Sequence, residues 1–274
     1  MGATSPGLTW VGGNRKPEDL DETSSKILAA SQSGTSIFDP VLCELIYRWF
    51  SPKDGTILDP FAGGSVRGIV ASLLNRQYIG IELRAEQVEA NRTQESLCSP
   101  THIPVWHNGD SAHIDTICAD VKADLIFSCP PYADLEVYSD DPADLSNMPF
   151  DKFVSLYRDI IAKSCALLKD NRFACFVVGD IRCKKGFYRN FPGITIQAFL
   201  DAGLKLYNEA ILVTSVGSLP IRVGRQFEKG RKLGKTHQNV LIFIKGDPKK
   251  ATQDCGEITI EFPDELMEED GTSN

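Results

Sequence analysis

The sequence predicts an α/β protein in which a largely parallel sheet lies between two layers of helices. Beyond Phe38, short apolar strand patterns alternate with helical patterns, beginning with a strand at 57–59 and a helix at 66–75. This alternation is typical of three-layer folds with a parallel sheet. A glycine turn after the first strand and polar residues at the ends of later strands support the same prediction.

Each predicted strand is a short run rich in apolar residues, and each predicted helix spaces its apolar residues three and four positions apart. The clearest helix runs from about Pro149 to Lys169, because Phe153, Tyr157 and Ile161 fall on one stripe. In chain order the predicted elements are helix 41–50, strand 57–59, helix 66–75, strand 78–82, helix 85–97, strand 103–107, helix 111–119, strand 124–128, helix 149–169, strand 172–178, helix 193–202, strand 206–215 and strand 237–245.

Length and composition favour one full-sized core, since the chain has 274 residues of which 42% are hydrophobic. We expect a single domain over residues 36–246, preceded by an arm or loop at 1–35 and followed by an acidic, disordered tail at 247–274. The formal charge is −8, but residues 253–274 hold eight acids and no lysine or arginine. The body is therefore neutral, and its charge does not exclude a nucleic-acid partner.

The eight cysteines are scattered without a Cys-x-x-Cys pair, which argues against a zinc site or a disulfide framework. The N-terminus lacks a basic region followed by an apolar core, and apolar runs such as 173–178 are too short to span a bilayer. We expect a reduced, soluble, cytoplasmic protein that uses no metal and no membrane. The sequence does not indicate an oligomeric state.

Two short motifs close predicted strands and locate a site. The first, Asp59-Pro60-Phe61-Ala62-Gly63-Gly64-Ser65, combines glycines that let the backbone approach a ligand with the start of a helix, as nucleotide-type ligands require. The second is Cys129-Pro130-Pro131-Tyr132, in which two prolines enforce a rigid, extended segment that ends in an exposed aromatic residue.

With these motifs the chain, from about Phe38 to Lys245, resembles the amino-directed, S-adenosylmethionine-dependent DNA methyltransferases. In that family an Asp-Pro-Phe-x-Gly-x-Gly segment holds the methionine end of the cofactor, and an Asp/Asn/Ser-Pro-Pro-Tyr segment holds the amino group. The resemblance implies a seven-stranded Rossmann-like sheet ending in an antiparallel hairpin, S-adenosyl-L-methionine as cofactor, and DNA as substrate. Ser65 replaces the usual last glycine, and Cys129 replaces an oxygen-bearing side chain.

The resemblance also implies a set of cofactor-binding residues in the first motif: Asp59, Phe61, Gly63, Gly64 and Ser65. Glu82 ends the second strand, where α/β folds place an acid that accepts hydrogen bonds from ribose hydroxyls. Asp110 resembles the family acid that faces the adenine amino group, and it equally fits the N-cap of the next helix. Phe38 and Asp39 match a segment that encloses the methionine, or else form a hydrophobic staple and N-cap.

If the family mechanism applies to this chain, the Cys129 side chain and the Pro130 carbonyl accept hydrogen bonds from the two amino hydrogens. The ring of Tyr132 then stacks on the flipped base. A thiol is a weak acceptor. Ser128 would supply the missing oxygen if the backbone were shifted, but strand alternation normally turns its side chain to the other face. Cys129 also fits covalent attack on a pyrimidine ring carbon, although such enzymes present the cysteine after a proline. Methylation of RNA bases or of protein glutamine, and a catalytically dead module that binds cofactor or DNA, are the remaining alternatives.

The segment 217–236, between the last two predicted strands, has a formal charge of +5. Its basic residues are Arg222, Arg225, Lys229, Arg231, Lys232 and Lys235. Basic loops are often only solvated, but we expect this loop to emerge at the edge that carries the motifs and to bind DNA phosphates. His237 follows the loop and is predicted to be structural or to face phosphate.

Overall fold

A computed structural model describes residues 38–132, 139, 141–214 and 219–258, without the side chains of Ile221 and Arg222. These residues fall into two compact units, one of the described residues within 38–211 and 239–258 and the other of residues 212–214 and 219–238. The predicted arm at 1–35 and most of the predicted acidic tail lie outside the described residues.

The helices and strands alternate along the chain. In order they are α1 Pro40–Phe50, β1 Thr56–Asp59, α2 Val66–Leu73, β2 Gln77–Glu82, α3 Ala85–Arg92, β3 Val105–Asn108, α4 Ile114–Ile117, β4 Ala123–Ser128, α5 Phe150–Leu167, β5 Leu168–Val178, α6 Phe191–Asp201, β6 Lys205–Val213, α7 Leu219–Gly230, β7 His237–Lys245 and α8 Pro248–Cys255. Short 3-10 helices lie at Glu95–Leu97, Ser111–His113 and Leu145–Asn147.

The strands form one seven-stranded sheet in the order β3-β2-β1-β4-β5-β7-β6. The strands from β3 to β5 are parallel to their neighbours, and β7 runs antiparallel to β5. The strand order reverses between β1 and β4, which pair through Ile57 and Leu125. The predicted α/β fold with a seven-stranded Rossmann-like sheet is confirmed. In such sheets ligands bind where the order reverses, beyond the carboxyl ends of the strands.

The core is built around β4, in which every residue from Ala123 to Ser128 is buried. Such a continuous buried run is expected for a central parallel strand that is covered by helices on both faces. On one face, α5 contributes Phe153 and Tyr157, whose rings stack with centroids 5.6 Å apart. Burying each of these large side chains stabilises the fold by about 1.5–3 kcal/mol. The strands that carry the two motifs therefore extend from a closely packed core.

Among the differences from the predicted elements, three concern the basic loop, the tail and the start of β5. Residues 219–230 of the predicted basic loop form α7, because their apolar residues recur at helical spacing despite two glycines and a proline. The predicted tail begins with α8, for which Asp247 is the N-cap, its side chain accepting from the Lys249 N–H. Finally, β5 begins at Leu168, directly after α5, whereas 172 was predicted.

A cluster of charged residues around Asp124 connects the amino ends of β1 and β4 to the start of β5. The Asp124 carboxylate accepts hydrogen bonds from the Thr56 N–H at 3.0 Å, Lys169 Nζ at 2.8 Å and Arg172 Nε at 2.9 Å. Arg172 also bonds Asp254 of α8 at 2.5 Å. Burial alone would raise the pKa of Asp124, but the bonds from Lys169, Thr56 and Arg172 outweigh it and lower the pKa.

This depressed pKa predicts how stability responds to acid. Because ionised Asp124 is favoured in the folded state, its contribution is present above the ordinary aspartate pKa of 3.8 and is lost as pH falls through the lower folded-state pKa. Asp124→Asn should be less stable than wild type at pH 7 and should lose less stability between about pH 5 and pH 2. Denaturant unfolding at a series of pH values measures both effects. Asp120→Asn, at an exposed position, is the control, and parallel pH profiles for wild type and Asp124→Asn would contradict the prediction.

Candidate active site

The carboxylate of Asp59, at the end of β1, is the centre of a buried hydrogen-bond network. It is fully buried. Its four donors are the Phe61 N–H at 3.0 Å, the Ser128 hydroxyl at 2.5 Å, Arg67 Nε at 2.6 Å and the Tyr78 hydroxyl at 2.7 Å. Four donors match the roughly four acceptor sites of a carboxylate. The contribution of Asp59 to the predicted cofactor site is therefore to hold the turn above it and to join that turn to the end of β4.

Arg67, in the first turn of α2, supports the same turn from within the core. Besides its ion pair with Asp59, its Nη2 donates to the carbonyls of Phe61 at 2.7 Å and Ala62 at 2.8 Å. Its guanidinium also lies 4.7 Å from the ring centroid of Phe38. Burial by itself would lower the pKa of Arg67, but the charge of Asp59 raises it above its ordinary value, so the side chain stays protonated. The buried guanidinium of Arg67 therefore holds the first motif through its ion pair and its hydrogen bonds.

The glycine turn is open on the side that its Cβ positions would occupy, as far as the described residues reach. Gly63 has a φ of +54°, which favours glycine, and a Cβ placed on Gly63 or Gly64 would meet no atom of the described residues within 4 Å. The Gly63 N–H donates to Glu82 Oε2 at 3.0 Å, and Glu82 Oε1 accepts from the Arg84 N–H and Nε. Three donors leave the Glu82 carboxylate capacity for a further hydrogen bond. The turn and the predicted ribose acceptor are therefore neighbours.

The loop after β3 is bonded to this pair. The Gly109 N–H donates to the Glu82 carbonyl at 3.0 Å, and the Ser111 hydroxyl donates to the Pro60 carbonyl. Asp110 Oδ1 accepts from the Ala112 N–H at 2.8 Å, which makes Asp110 the N-cap of the 3-10 helix Ser111–His113. The N-cap alternative for Asp110 is therefore observed, and its contact with adenine stays a prediction.

Phe38, Asp39 and Ser65, three of the residues predicted to bind the cofactor, make contacts within the protein. Asp39 is the N-cap of α1, since its Oδ1 accepts from the Val41 N–H at 2.9 Å and the Leu42 N–H at 3.3 Å. The Phe38 ring packs edge-on against Phe127 with centroids 5.7 Å apart. Ser65, which replaces the usual glycine, is buried and bonds Gln94 through its hydroxyl at 2.8 Å. A cofactor role for these three residues stays a prediction.

The second motif leaves β4 beside the first. Cys129 Sγ lies 3.9 Å from the Tyr132 hydroxyl, and both residues are half-buried. The Tyr132 ring packs edge-on against Phe191, with centroids 6.0 Å apart. Because the Ser128 hydroxyl donates to Asp59, it does not replace the oxygen that is usual at the first motif position. The thiol of Cys129 is thus the side chain presented there.

The smaller unit carries the predicted DNA-binding residues. Arg222 and Arg225 lie in α7, and Arg225 is exposed. Arg231 follows the helix with a φ of 52°, and its guanidinium lies 4.9 Å from the ring centroid of Phe227. Lys232 and Lys235 are half-buried, and His237 is exposed at the start of β7. The smaller unit therefore presents a basic helix and a basic turn.

Sequence reasoning missed Arg67 and Tyr78 as parts of the site. The available signal was an arginine one residue into an apolar helix, directly after the glycine turn. It also left residues 180–190 unassigned, although this segment follows β5 and places four basic residues around Phe187 and Tyr188. Clusters of lysine and arginine with neighbouring aromatic residues are typical of surfaces that bind nucleic acids.

Solved structures of methyltransferases share this fold. TrmN from Thermus thermophilus matches with a TM-score of 0.54 and 16% identity over 81% of this chain and 53% of its own, so the chain spans about half of that protein. Magnesium protoporphyrin IX methyltransferase (ChlM) from Synechocystis PCC 6803 with bound SAM gives 0.49 and 10% over 83% and 86%. Precorrin-6y C5,15-methyltransferase from Geobacter metallireducens GS-15 gives 0.47 and 10% over 76% and 87%. The match to TrmN identifies the Rossmann-like methyltransferase fold.

Residues 22–93 match the family model of the N6/N4 methyltransferases, described as DNA methylase. The matched segment contains the glycine turn and Glu82 and ends before Cys129. The predicted resemblance to amino-directed DNA methyltransferases is thereby confirmed. No curated protein matches this sequence significantly.

The described ranges are 38–132, 139, 141–214 and 219–258. Within them, no group of three or more His, Cys, Asp or Glu side chains is arranged to hold a metal ion. None of the helices described here combines the length and the apolar character needed to cross a bilayer.

Proposed function

We propose that this protein is an S-adenosylmethionine-dependent methyltransferase that methylates the exocyclic amino group of adenine or cytosine in DNA. The observation that carries the proposal is the hydrogen bond of 2.5 Å between Asp59 and Ser128. This bond fixes the end of β1, where the glycine turn begins, beside the end of β4, which leads into Cys129-Pro130-Pro131-Tyr132. The glycine turn and the Cys129-Pro130-Pro131-Tyr132 motif therefore lie side by side at the carboxyl ends of β1 and β4.

The residues of the first motif fit the cofactor. No side chain of the described residues lies within 4 Å of a Cβ placed on Gly63 or Gly64, which leaves room for a ligand to approach their backbone. Glu82 adjoins this turn and retains capacity to accept a hydrogen bond from a ribose hydroxyl. Phe61 belongs to the same turn, with its ring centroid 6.1 Å from that of Tyr157, and Asp110 lies in the loop after β3. When bound, S-adenosylmethionine supplies an electrophilic methyl group.

The second motif fits an amino group. The Pro130 carbonyl and the Cys129 sulfur are the acceptors that would orient the two amino hydrogens, and the Tyr132 ring would stack on a base removed from its helix. The chain's contribution is alignment and exclusion of water, which dominate catalysis when the electrophile is already activated. The amino nitrogen would bond to the methyl carbon as the methyl–sulfur bond breaks, and it would lose one proton to water.

DNA as the substrate class is supported by two features. Residues 22–93 match a family described as DNA methylase. The segment 217–236 carries a formal charge of +5 and displays exposed Arg225, Lys229 and Arg231, which suits phosphate contacts. Methylation of RNA or of protein is distinguished from this proposal by experiment.

The proposal is tested by incubating the protein with methyl-labelled S-adenosylmethionine and, separately, mixed-sequence DNA, RNA and protein. We expect label in DNA, and mass spectrometry of the digested nucleosides should identify N6-methyladenine or N4-methylcytosine. Label confined to RNA or protein would contradict the DNA assignment. Cofactor binding without transfer to any acceptor would support a catalytically dead module instead.

Cys129→Ser separates the two chemistries open to the second motif. On the amino-transfer mechanism, serine offers a better acceptor, and turnover should be retained or rise by about 2- to 10-fold, the value of one hydrogen bond. On the ring-carbon mechanism, turnover should disappear because the nucleophile is lost. Single-turnover methylation rates measure the difference. Cys98→Ser is the matched control, and an inactive but folded, cofactor-binding Cys129→Ser protein would overturn amino transfer.

A further inference from the structure

Residues 180–190 form a short hairpin directly after β5, at the edge of the sheet that carries both motifs. Arg182 and Tyr188 pair across it as antiparallel partners. The Cys183 N–H donates to the Phe187 carbonyl at 2.9 Å, and the Arg189 N–H donates to the Ile181 carbonyl at 2.8 Å. We call this segment the 180–190 hairpin. These cross-strand bonds give it a defined shape.

The base of the hairpin is fixed beside the second motif. Asp180 Oδ1 accepts from the N–H groups of Ile181 at 2.9 Å and Phe191 at 3.2 Å, which closes the two ends of the segment. Phe191 in turn packs against Tyr132. The Arg189 guanidinium lies 4.0 Å from the ring centroid of Phe150, at the start of α5. The hairpin therefore rises next to the residue proposed to hold the target base.

The sheet register leads to the same placement. Ser128 of β4 pairs in parallel with Phe176 of β5, so the two strands end at the same edge. Beyond that edge β4 continues into Cys129-Pro130-Pro131-Tyr132, and β5 continues into the hairpin. Because the two strands are neighbours in the sheet, the two segments leave it side by side.

The outer part of the hairpin is basic and aromatic. Lys184 and Lys185 are exposed, as are Phe187 at 71% and Tyr188 at 45%. The Tyr188 ring is held by the Arg182 guanidinium, 3.8 Å from its centroid. Residues 180–190 contain four lysine or arginine residues and one acidic residue, Asp180. The Asp180 carboxylate accepts hydrogen bonds at the point where the two ends of the hairpin meet. Cations bind phosphates and aromatic rings stack on bases, so this combination is complementary to a nucleic-acid strand.

We infer that the 180–190 hairpin is a nucleic-acid contact that binds the strand flanking the target base. This inference rests on the proposed function, because it places the hairpin beside a base held at Tyr132. Lys184 and Lys185 neutralise two phosphates. Phe187 stacks on an unpaired or partly unstacked base next to the target.

The experiment measures binding of a fluorescein-labelled, mixed-sequence DNA duplex by anisotropy at several salt concentrations. Lys184→Glu/Lys185→Glu should weaken binding by tenfold or more at low salt and reduce the slope of log affinity against log salt by about 2. Phe187→Ala should weaken binding about 5- to 100-fold with the slope unchanged, and Phe187→Trp should restore the affinity. Lys249→Glu/Lys250→Glu, the same charge change on α8 at the opposite edge, should leave both quantities close to wild type.

The outcomes separate the two proposals. Salt-dependent binding by wild type that is unchanged in the hairpin variants would overturn the inference and leave the proposed function standing. An equal loss in the α8 variant would also overturn it, because the effect would then follow net charge. Wild-type protein that binds no DNA would overturn the proposed function and the hairpin contact together. Thermal unfolding of each variant tests whether the fold is retained, which is expected because the substituted side chains are exposed.

Discussion

Replacing Arg67 with methionine is expected to destabilise the protein by about 3–5 kcal/mol, because it leaves the fully buried carboxylate of Asp59 without its positive partner. The same change removes the donors to the Phe61 and Ala62 carbonyls that shape the glycine turn. Chemical unfolding at pH 7 measures the loss. Affinity for S-adenosylmethionine should fall as well, because the turn loses its support.

Two controls sharpen this prediction. Arg48→Met breaks the exposed pair between Arg48 and Glu44 and should cost about 0–1 kcal/mol. The double variant Asp59→Asn/Arg67→Met removes both buried charges, and its loss should be smaller than the sum of the two single losses by about 1 kcal/mol or more. An Arg67→Met protein as stable as Arg48→Met would show that the buried pair contributes little.

Tyr132→Ala is expected to reduce turnover about 5- to 100-fold while leaving the affinity for S-adenosylmethionine close to wild type. The reason is that a stacked base contributes about 1–3 kcal/mol, and the ring is proposed to touch the base and not the cofactor. Single-turnover methylation and titration calorimetry measure the two quantities on the same preparation.

Tyr132→Phe separates the ring from the hydroxyl. Phenylalanine keeps the packing on Phe191 and loses the contact of the hydroxyl with Cys129 Sγ at 3.9 Å, so turnover should remain near wild type. If Tyr132→Ala instead lowered the unfolding temperature and the cofactor affinity with little change in turnover, Tyr132 would be a packing residue of this edge.

Much of the fold was predictable because the central strands are strongly apolar and end in recognisable turns. The run Ala123–Ser128 and the glycine turn placed β4 and β1 within one residue of their observed ends. The helix α7 was missed because Pro220, Gly224 and Gly230 outweigh, in local propensity, the helical spacing of Val223 and Phe227. Acidic composition likewise masked α8, although Asp247-Pro248 is a readable helix start.

The site was predictable to the level of its motifs but not of its supporting bonds. That Asp59 would be fully buried could not be read locally, because its partners Arg67, Tyr78 and Ser128 come from three other elements. The alternatives for Asp39 and Asp110 were also undecidable from sequence, since an N-cap and a ligand-binding acid use the same residue type at the same strand or helix end.

The bond between Asp59 and Ser128 joins residues that lie 69 positions apart in the chain. Two strands, β2 and β3, are added on one side of β1 before β4 is reached, so the pairing that completes the edge closes a long segment. Such distant pairings form slowly, because the chain entropy must be lost before the contact stabilises anything. During synthesis the glycine turn is made well before the strand that carries Cys129. A growing chain therefore acquires both halves of the site only when β4 has emerged and paired with β1.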